Sequence, residues 1–315
     1  MVTNQSKKLK LLATHAVQSP FPDYEPPTPS ECREIHDILV KTHPDIAVSS
    51  QSASTSKNAA ATCGKVPNVL ESLIGTILSQ NTSGKNSTAA KRSLDETFGR
   101  NNFQAIATAE KSAVVDAIRM GGLANKKADV IQRILREVKD RHGTYSLQHL
   151  AGAAAAPVST RDARGSPPVK MEEPDRAVNA FSNEEAMKEL VSFEGVGPKT
   201  ASCVLLFCLG RSSFPVDTHV FRLSRLLGWV PAKADRVTAQ AHLDMKIPNE
   251  LKYGLHVLMV GHGRRCKGCK GGRSGKDPCV LKEWLKEKRG MKEVNIDELT
   301  LKIDEETEEK LINAD

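Results

Sequence analysis

Aromatic residues make up only 4% of this 315-residue chain, so its core must rest mainly on Leu, Ile, Val and Ala. No apolar run approaches the roughly 20 residues that cross a bilayer, which points to a chain that is soluble or peripheral. The long alternation of strands is also missing, and with it a sheet-based fold. Met1 to Val17 holds no apolar stretch followed by a cleavage site, so export is not expected. A reducing, intracellular compartment follows, in which the seven cysteines do not form a disulfide framework. Acids are absent from the first 22 residues, which instead carry Lys7, Lys8 and Lys10. The plain reading is a disordered terminus. A nuclear signal and an organelle transit peptide are the alternatives, and the lack of arginine there weighs against the transit peptide. The expected location is the nucleus, with plastid or mitochondrion second.

The charge that is present is unevenly spread. The net is +7, but residues 294–315 alone carry −6, leaving +13 on the rest. A basic body suits a polyanion such as nucleic acid, although a generic basic surface has the same composition.

Periodicity divides the chain. Residues 1–29 read as a disordered tail ending in Pro26-Pro27-Thr28-Pro29. Within 30–65, Ser30 caps a helix from Glu31 to Lys41, and a low-complexity loop follows. From Val66 the pattern is helical: Val69, Leu70, Leu73, Ile74 and Ile77 fall on one face. Amphipathic stretches recur at Ser87–Phe98, Ala105–Arg119 and Lys126–Arg141, with Gly121, Gly122 and Gly143 as stops. Residues 151–180 are Ala-rich, then Pro-, Ser- and charge-rich, and read as a mostly disordered insertion. Helical pattern returns with Ser182-x-x-Glu185, a capping-box spelling. The fold class expected is all-α. The lobes would be 66–211, with a helix-hairpin-helix at 186–209, and 212–290 joined by the N-terminal helix. An acidic tail would occupy 291–315.

Residues 183–210 are the most informative. A helix ends near Phe193, Gly195-Val196-Gly197 follows, and Pro198 opens an apolar helix, where its missing N–H costs little. Glycines let the backbone turn tightly and approach a ligand, and the N–H groups at a helix start favour an anion such as a DNA phosphate. Taken alone this is equally a tight packing turn. Lys199 lies in the first turn of that helix. The positive helix end and burial would both favour its neutral, nucleophilic amine. A solvated surface lysine is the plain alternative. Asp217 precedes a helix with Val220, Leu223, Leu226 and Leu227 on one face, and its plain role is to cap it.

The segments Leu190–Ala201 and Phe214-Pro215-Val216-Asp217-Thr218-His219-Val220-Phe221-Arg222 resemble the helix-hairpin-helix (HhH-GPD) DNA glycosylases, and among them the endonuclease III branch. Ile77-Leu78-Ser79-Gln80-Asn81-Thr82 and Met120-Gly121-Gly122-Leu123-Ala124-Asn125-Lys126-Lys127-Ala128 match, in order, the family's glutamine-bearing helix end and leucine-bearing loop. The resemblance covers about residues 66–290. It implies a two-lobed fold and a base-excision enzyme with AP lyase activity that removes oxidised pyrimidines from duplex DNA. Lys199 would be the Schiff-base nucleophile and Asp217 the catalytic carboxylate. Monofunctional members lack the lysine. Gln80 and Leu123 would fill the space left by a flipped base. Lys126 and Lys127 would touch phosphate, and His219 and Arg222 would line the cleft. A monomer is expected, acting on double-stranded DNA with a damaged base or abasic site and not on membranes. Two rivals remain: excision of 5-methylcytosine, since the same segments and Leu227-Gly228-Trp229-Val230-Pro231 resemble the much longer plant demethylating glycosylases, and a non-catalytic DNA-binding protein that kept the hairpin.

Cysteines supply the last motif. Cys203 and Cys208 sit in an apolar run and read as core residues. Endonuclease III relatives hold a [4Fe–4S] cluster with C-x6-C-x2-C-x5-C, whereas this chain offers Cys266, Cys269 and Cys279, with Leu285 at the last family position. Three thiolates fall short of that set. No metal, zinc with His262 as fourth ligand, and an iron–sulfur cluster all stay open, the missing cysteine counting against the last. With Arg264, Arg265, Lys267, Lys270, Arg273 and Lys276 this loop is basic enough to suit phosphate.

Overall fold

The computed structural model describes residues 18–46, 68–151, 181–269, 277–290, 298–299 and 302–303. The parts of the tail, loop, insertion and acidic segment read above that fall elsewhere lie outside the described residues. Among the described residues the regular structure is helical throughout. None of these helices is long and apolar enough to cross a membrane.

Helix α1 (Pro29–Thr42) starts two residues earlier than the sequence pattern indicates. Thr28, not Ser30, is its cap, in a reciprocal box with Glu31. Helix α2 (Val69–Leu78) is buried along its whole length and capped by Asn68. Its one carboxylate, Glu71, is buried against Lys91 at 3.1 Å and Arg100 at 3.0 Å. Those cations outweigh the burial and hold Glu71 below its ordinary pKa. Helix α3 runs from Gly84 to Phe98.

The single stretch expected at Ala105–Arg119 is two helices, α4 (Phe103–Thr108) and α5 (Lys111–Ile118). The break is held by Gln132, whose amide donates to the carbonyls of Ile106 at 3.0 Å and Ala109 at 2.8 Å. Helix α6 (Ala124–His142) carries Gln132 and stops at Gly143. A short 3-10 turn, Gln148–Ala151, follows.

Helix α7 (Asn183–Ser192) begins with the capping box of Ser182 and Glu185. Helix α8 (Pro198–Cys203) continues as a π-helical turn, Val204–Cys208. The rest is α9 (Thr218–Leu226), α10 (Arg236–Lys246), α11 (Asn249–Arg265) and α12 (Val280–Arg289).

Two apolar cores result. The first joins α2 through α8 and the π turn, with Phe193 and Val196 at the hairpin inside it. The second joins α9 through α12 with Phe21 and α1, around Phe214 and Trp229. Burial of apolar area is the main favourable term for each. The chain passes between cores at 210–217, where Ser202 and Ser213 share a buried hydrogen bond of 2.6 Å. α1 packs on α11, and Glu34 on α1 accepts from Trp284 on α12 at 3.0 Å.

Candidate active site and metal centre

The hairpin is built by backbone shape. After α7, Phe193 turns extended and buries its ring, with the Arg141 guanidinium 4.7 Å above it. Val196 N–H donates to the Phe193 carbonyl at 3.1 Å. Gly195 sits at φ +87°, and a Cβ there would come within 2.7 Å of Val130 on α6. Only glycine fits both the angle and the approach. Gly197 lies at the start of α8 with open space around it and no side chain to cap the helix. Lys199, in the first turn, is half-buried.

Asp217 caps α9, accepting from Val220 N–H at 2.8 Å. The approach to it is fixed by Gln240 on α10, which accepts from Val216 N–H at 3.2 Å. One buried imidazole bridges the segments that carry Asp217 and Lys199. His256 on α11 has an Nδ1 that donates to the Pro215 carbonyl at 2.9 Å, since a carbonyl can only accept. The rings of Phe207 and Phe214 meet it edge-on. Burial pushes its pKa down to about 4, while the Asp217 carboxylate pulls up and the Lys199 ammonium pushes down. Both side chains therefore act on the same neutral imidazole.

The other two motifs converge on α8 and on each other. Gln80, just past α2, donates to Thr200 Oγ1 at 3.1 Å, next in sequence to Lys199. Leu123 stands exposed at φ +49° before α6. Between them Lys127 reaches inward and donates to the carbonyls of Leu78 at 2.9 Å and Gly121 at 2.8 Å. One ammonium thus ties the end of α2 to the leucine loop.

A second group of donors gathers at the end of α11. Nε2 of His262, Sγ of Cys266, Sγ of Cys269 and Sγ of Cys279 all lie within 4.8 Å of one another. Cys269 and Cys279 are 3.2 Å apart, and His262 Nε2 is 2.9 Å from Cys269. Gly268 lets the loop fold this tightly, because a side chain there would strike the Asp277 carbonyl and Cys279. Burial opposes charge on His262, but hydrogen bonds with Cys266 and Cys279 raise its pKa to about 9. Hydrogen bonds from Cys269 and Cys279 hold the Cys266 thiol far below its ordinary value. The far nitrogen of His262, Nδ1, is 2.8 Å from Nε2 of His43, beyond the end of α1. Three thiols and one imidazole are a full donor set for a tetrahedral ion. They are equally a set for an iron–sulfur group in which an imidazole replaces a thiolate.

Residues 74–248 match the HhH-GPD family, described as "HhH-GPD superfamily base excision DNA repair protein". The Arabidopsis thaliana protein named "Putative DNA glycosylase At3g47830" is 37% identical over 268 residues, 80% of this chain and 81% of that protein. The chain belongs to the HhH-GPD superfamily. It is a base-excision repair DNA glycosylase of that superfamily. Endonuclease III of Sulfolobus acidocaldarius is 29% identical over 224 residues, 71% of this chain and 84% of that enzyme. The fold is that of endonuclease III. A solved non-covalent endonuclease III–DNA complex superposes with a TM-score of 0.55 at 20% identity, covering 81% of this chain and 94% of that one.

For this glycosylase the structure corrects several expectations. Leu285 is not the fourth metal position: it is fully buried on α12 among apolar side chains. The fourth donor is His262, delivered by α11, so the cysteine loop does close a four-ligand site. Lys127 is not available to phosphate, being 3% exposed and bound to two carbonyls. Arg222 is also buried, donating to the Gly263 carbonyl at 2.9 Å rather than lining an open cleft. Lys126 is exposed, and His219 is half-buried against Gly263. Of the basic loop, Arg264 and Lys267 are exposed and Arg265 pairs with Asp45 at 2.7 Å. Lys270, Arg273 and Lys276 lie outside the described residues. His256 and His43 escape sequence reasoning, because a lone histidine in a helical pattern carries no signal of what it faces.

Proposed function

We propose that this glycosylase is bifunctional. It excises an oxidised pyrimidine from duplex DNA and then breaks the strand by β-elimination through Lys199. The observation that carries the reading is the buried His256, which ties the approach to Asp217 to the helix of Lys199: its Nδ1 donates to the Pro215 carbonyl at 2.9 Å and its ring meets Phe207 in the π turn that continues α8. The two residues sit on elements of different apolar cores, and a protein that only binds DNA has no use for both.

The chemistry balances with these groups. The Lys199 amine forms a bond to C1′ of the flipped nucleotide as the C1′–base bond breaks. Asp217 takes up the proton released from the amine and stabilises positive charge on the sugar. The nitrogen lone pair then breaks C1′–O4′ and opens the sugar ring, O4′ taking the proton held by Asp217, and the resulting iminium acidifies C2′. Loss of that proton drives cleavage of the C3′–oxygen bond, and water then releases Lys199. Gln80, placed beside Thr200, and Leu123, exposed at its loop tip, are the groups that fill the vacated stack. The enzyme acts as a monomer on double-stranded DNA.

Borohydride trapping on abasic-site duplex tests the covalent step. Wild type yields a covalent adduct and Lys199→Ala yields none. A correctly folded wild type that forms no adduct would sink the lyase reading. A panel of duplexes carrying single oxidised pyrimidines or 5-methylcytosine then fixes the substrate: the oxidised bases are released fastest.

A further inference from the structure

A second cluster of ligand-bearing side chains lies outside the active site and outside the cysteine loop. His142 is the last residue of α6, His149 lies in the 3-10 turn, and Glu189 is on α7. Nε2 of His142 and Nε2 of His149 each lie 3.0 Å from the same oxygen, Oε1 of Glu189. His149 Nε2 is also 3.0 Å from Oε2. The imidazole rings are 4.6 Å apart at a tilt of 40°. All three ligand atoms fall within 4.8 Å of one another, and the side chains are 16–31% exposed.

We propose that His142, His149 and Glu189 form a second metal site, which takes a divalent transition ion of the zinc type. Two imidazole nitrogens and one carboxylate are the borderline donors that such ions prefer over oxygen-seeking calcium or magnesium. Bonds of about 2.0–2.1 Å place tetrahedral ligands roughly 3.3 Å apart, close to the 3.0 Å between each imidazole nitrogen and Oε1 of Glu189. An ion bridges both nitrogens and the carboxylate at once, and the partial exposure gives it an entry path and a fourth position for water.

The location gives the ion a mechanical role. Glu189 belongs to the first helix of the DNA-binding hairpin. The neighbour of His142, Arg141, already holds that helix by stacking on Phe193 and donating to Ser192 at 2.5 Å. Phe181, just before α7, meets the His149 ring edge-on. An ion therefore clamps α6, the 3-10 turn and α7 together at the two ends of the 152–180 segment.

Cobalt titration of the untagged full chain tests this. Cobalt on the cysteine loop gives an intense thiolate charge-transfer band, while cobalt on two histidines and a glutamate does not. Wild type is expected to bind a further equivalent of cobalt that shows only weak ligand-field absorption and that zinc displaces. His149→Gln, which keeps an N–H donor for Glu189 and so the local fold, loses that equivalent and keeps the thiolate band. Glu189→Gln does the same. The proposal is overturned if wild type binds no thiolate-free equivalent, or if that equivalent survives in both variants. Circular dichroism establishes that the variants are folded. Zinc added after the cysteine site is filled raises the melting temperature of wild type but not of His149→Gln. An unchanged melting temperature in wild type also overturns it.

Discussion

Lys127 is a charged residue with an interior role. Burial lowers its pKa to about 8, so the ammonium persists at neutral pH and holds two carbonyls from separate loops. Lys127→Met leaves both carbonyls buried without a donor, at a cost of about 1–3 kcal/mol. Urea denaturation reads that loss. Abasic-site cleavage should show a raised KM as well, because Gln80 and Leu123 lose their common anchor. A variant as stable as wild type would remove this role. His43 acts at the same scale. A metal on His262 Nε2 leaves Nδ1 protonated, and His43 Nε2 is placed to accept from it. His43→Ala is expected to weaken metal retention by about 10- to 100-fold in chelator competition. Identical competition curves would show that His262 needs no such support.

At the scale of elements, the hairpin is the part most sensitive to a single methyl group. Gly195→Ala forces a side chain onto a backbone at φ +87° and into Val130. The strain alone is worth about 1–3 kcal/mol. Duplex binding, measured by fluorescence anisotropy, should weaken by more than the stability loss explains, since the turn itself moves. Gly197→Ala meets open space and is expected to be mild. Much at this scale was legible in the sequence. The Ser182–Glu185 box, the Gly-x-Gly turn, Pro198 and the Asp217 cap are all local signals, and each is formed in the structure. Where an element depends on a distant partner the sequence misled. Ala105–Arg119 shows one continuous apolar face, yet it breaks because Gln132, on another helix, takes up the carbonyls at the break. Lys127 read as a phosphate contact for the same reason: nothing near it in sequence announces two buried carbonyls. His262 was one candidate for the fourth metal donor, but Leu285 at the last family position cast doubt on the site, because cysteine spacing describes one loop while His262 comes from the helix before it.

The whole molecule couples its active site to pH through burial. The folded chain keeps His256 neutral down to about pH 4, whereas an unfolded histidine binds a proton near 6.5. The unfolded state therefore takes up more protons between those values. Stability is complete above about pH 6.5 and falls as pH drops toward 4. Glu71 adds a lower window, since its depressed folded pKa gives stability that is lost as pH falls through that value. Urea unfolding at neutral pH and near pH 4.5 should show a clear drop for wild type and a smaller one for His256→Gln. An equal drop in both would place the acid sensitivity elsewhere.

The order in which the chain is made sets a further constraint. α1 precedes every other described helix, yet its partners are α11 and α12. Glu34 meets Trp284 across 250 positions, and His43 meets His262 across 219. During synthesis, helices α2 to α8 can gather around their own core while α1 waits with its apolar face uncovered. Closing so long a loop is slow relative to local helix packing. Until α11 has emerged, Ile35 and Leu39 lack their main partner. A ribosome stalled before residue 249 should hold a folded first lobe and a sticky leading helix, the point at which this protein most needs a chaperone.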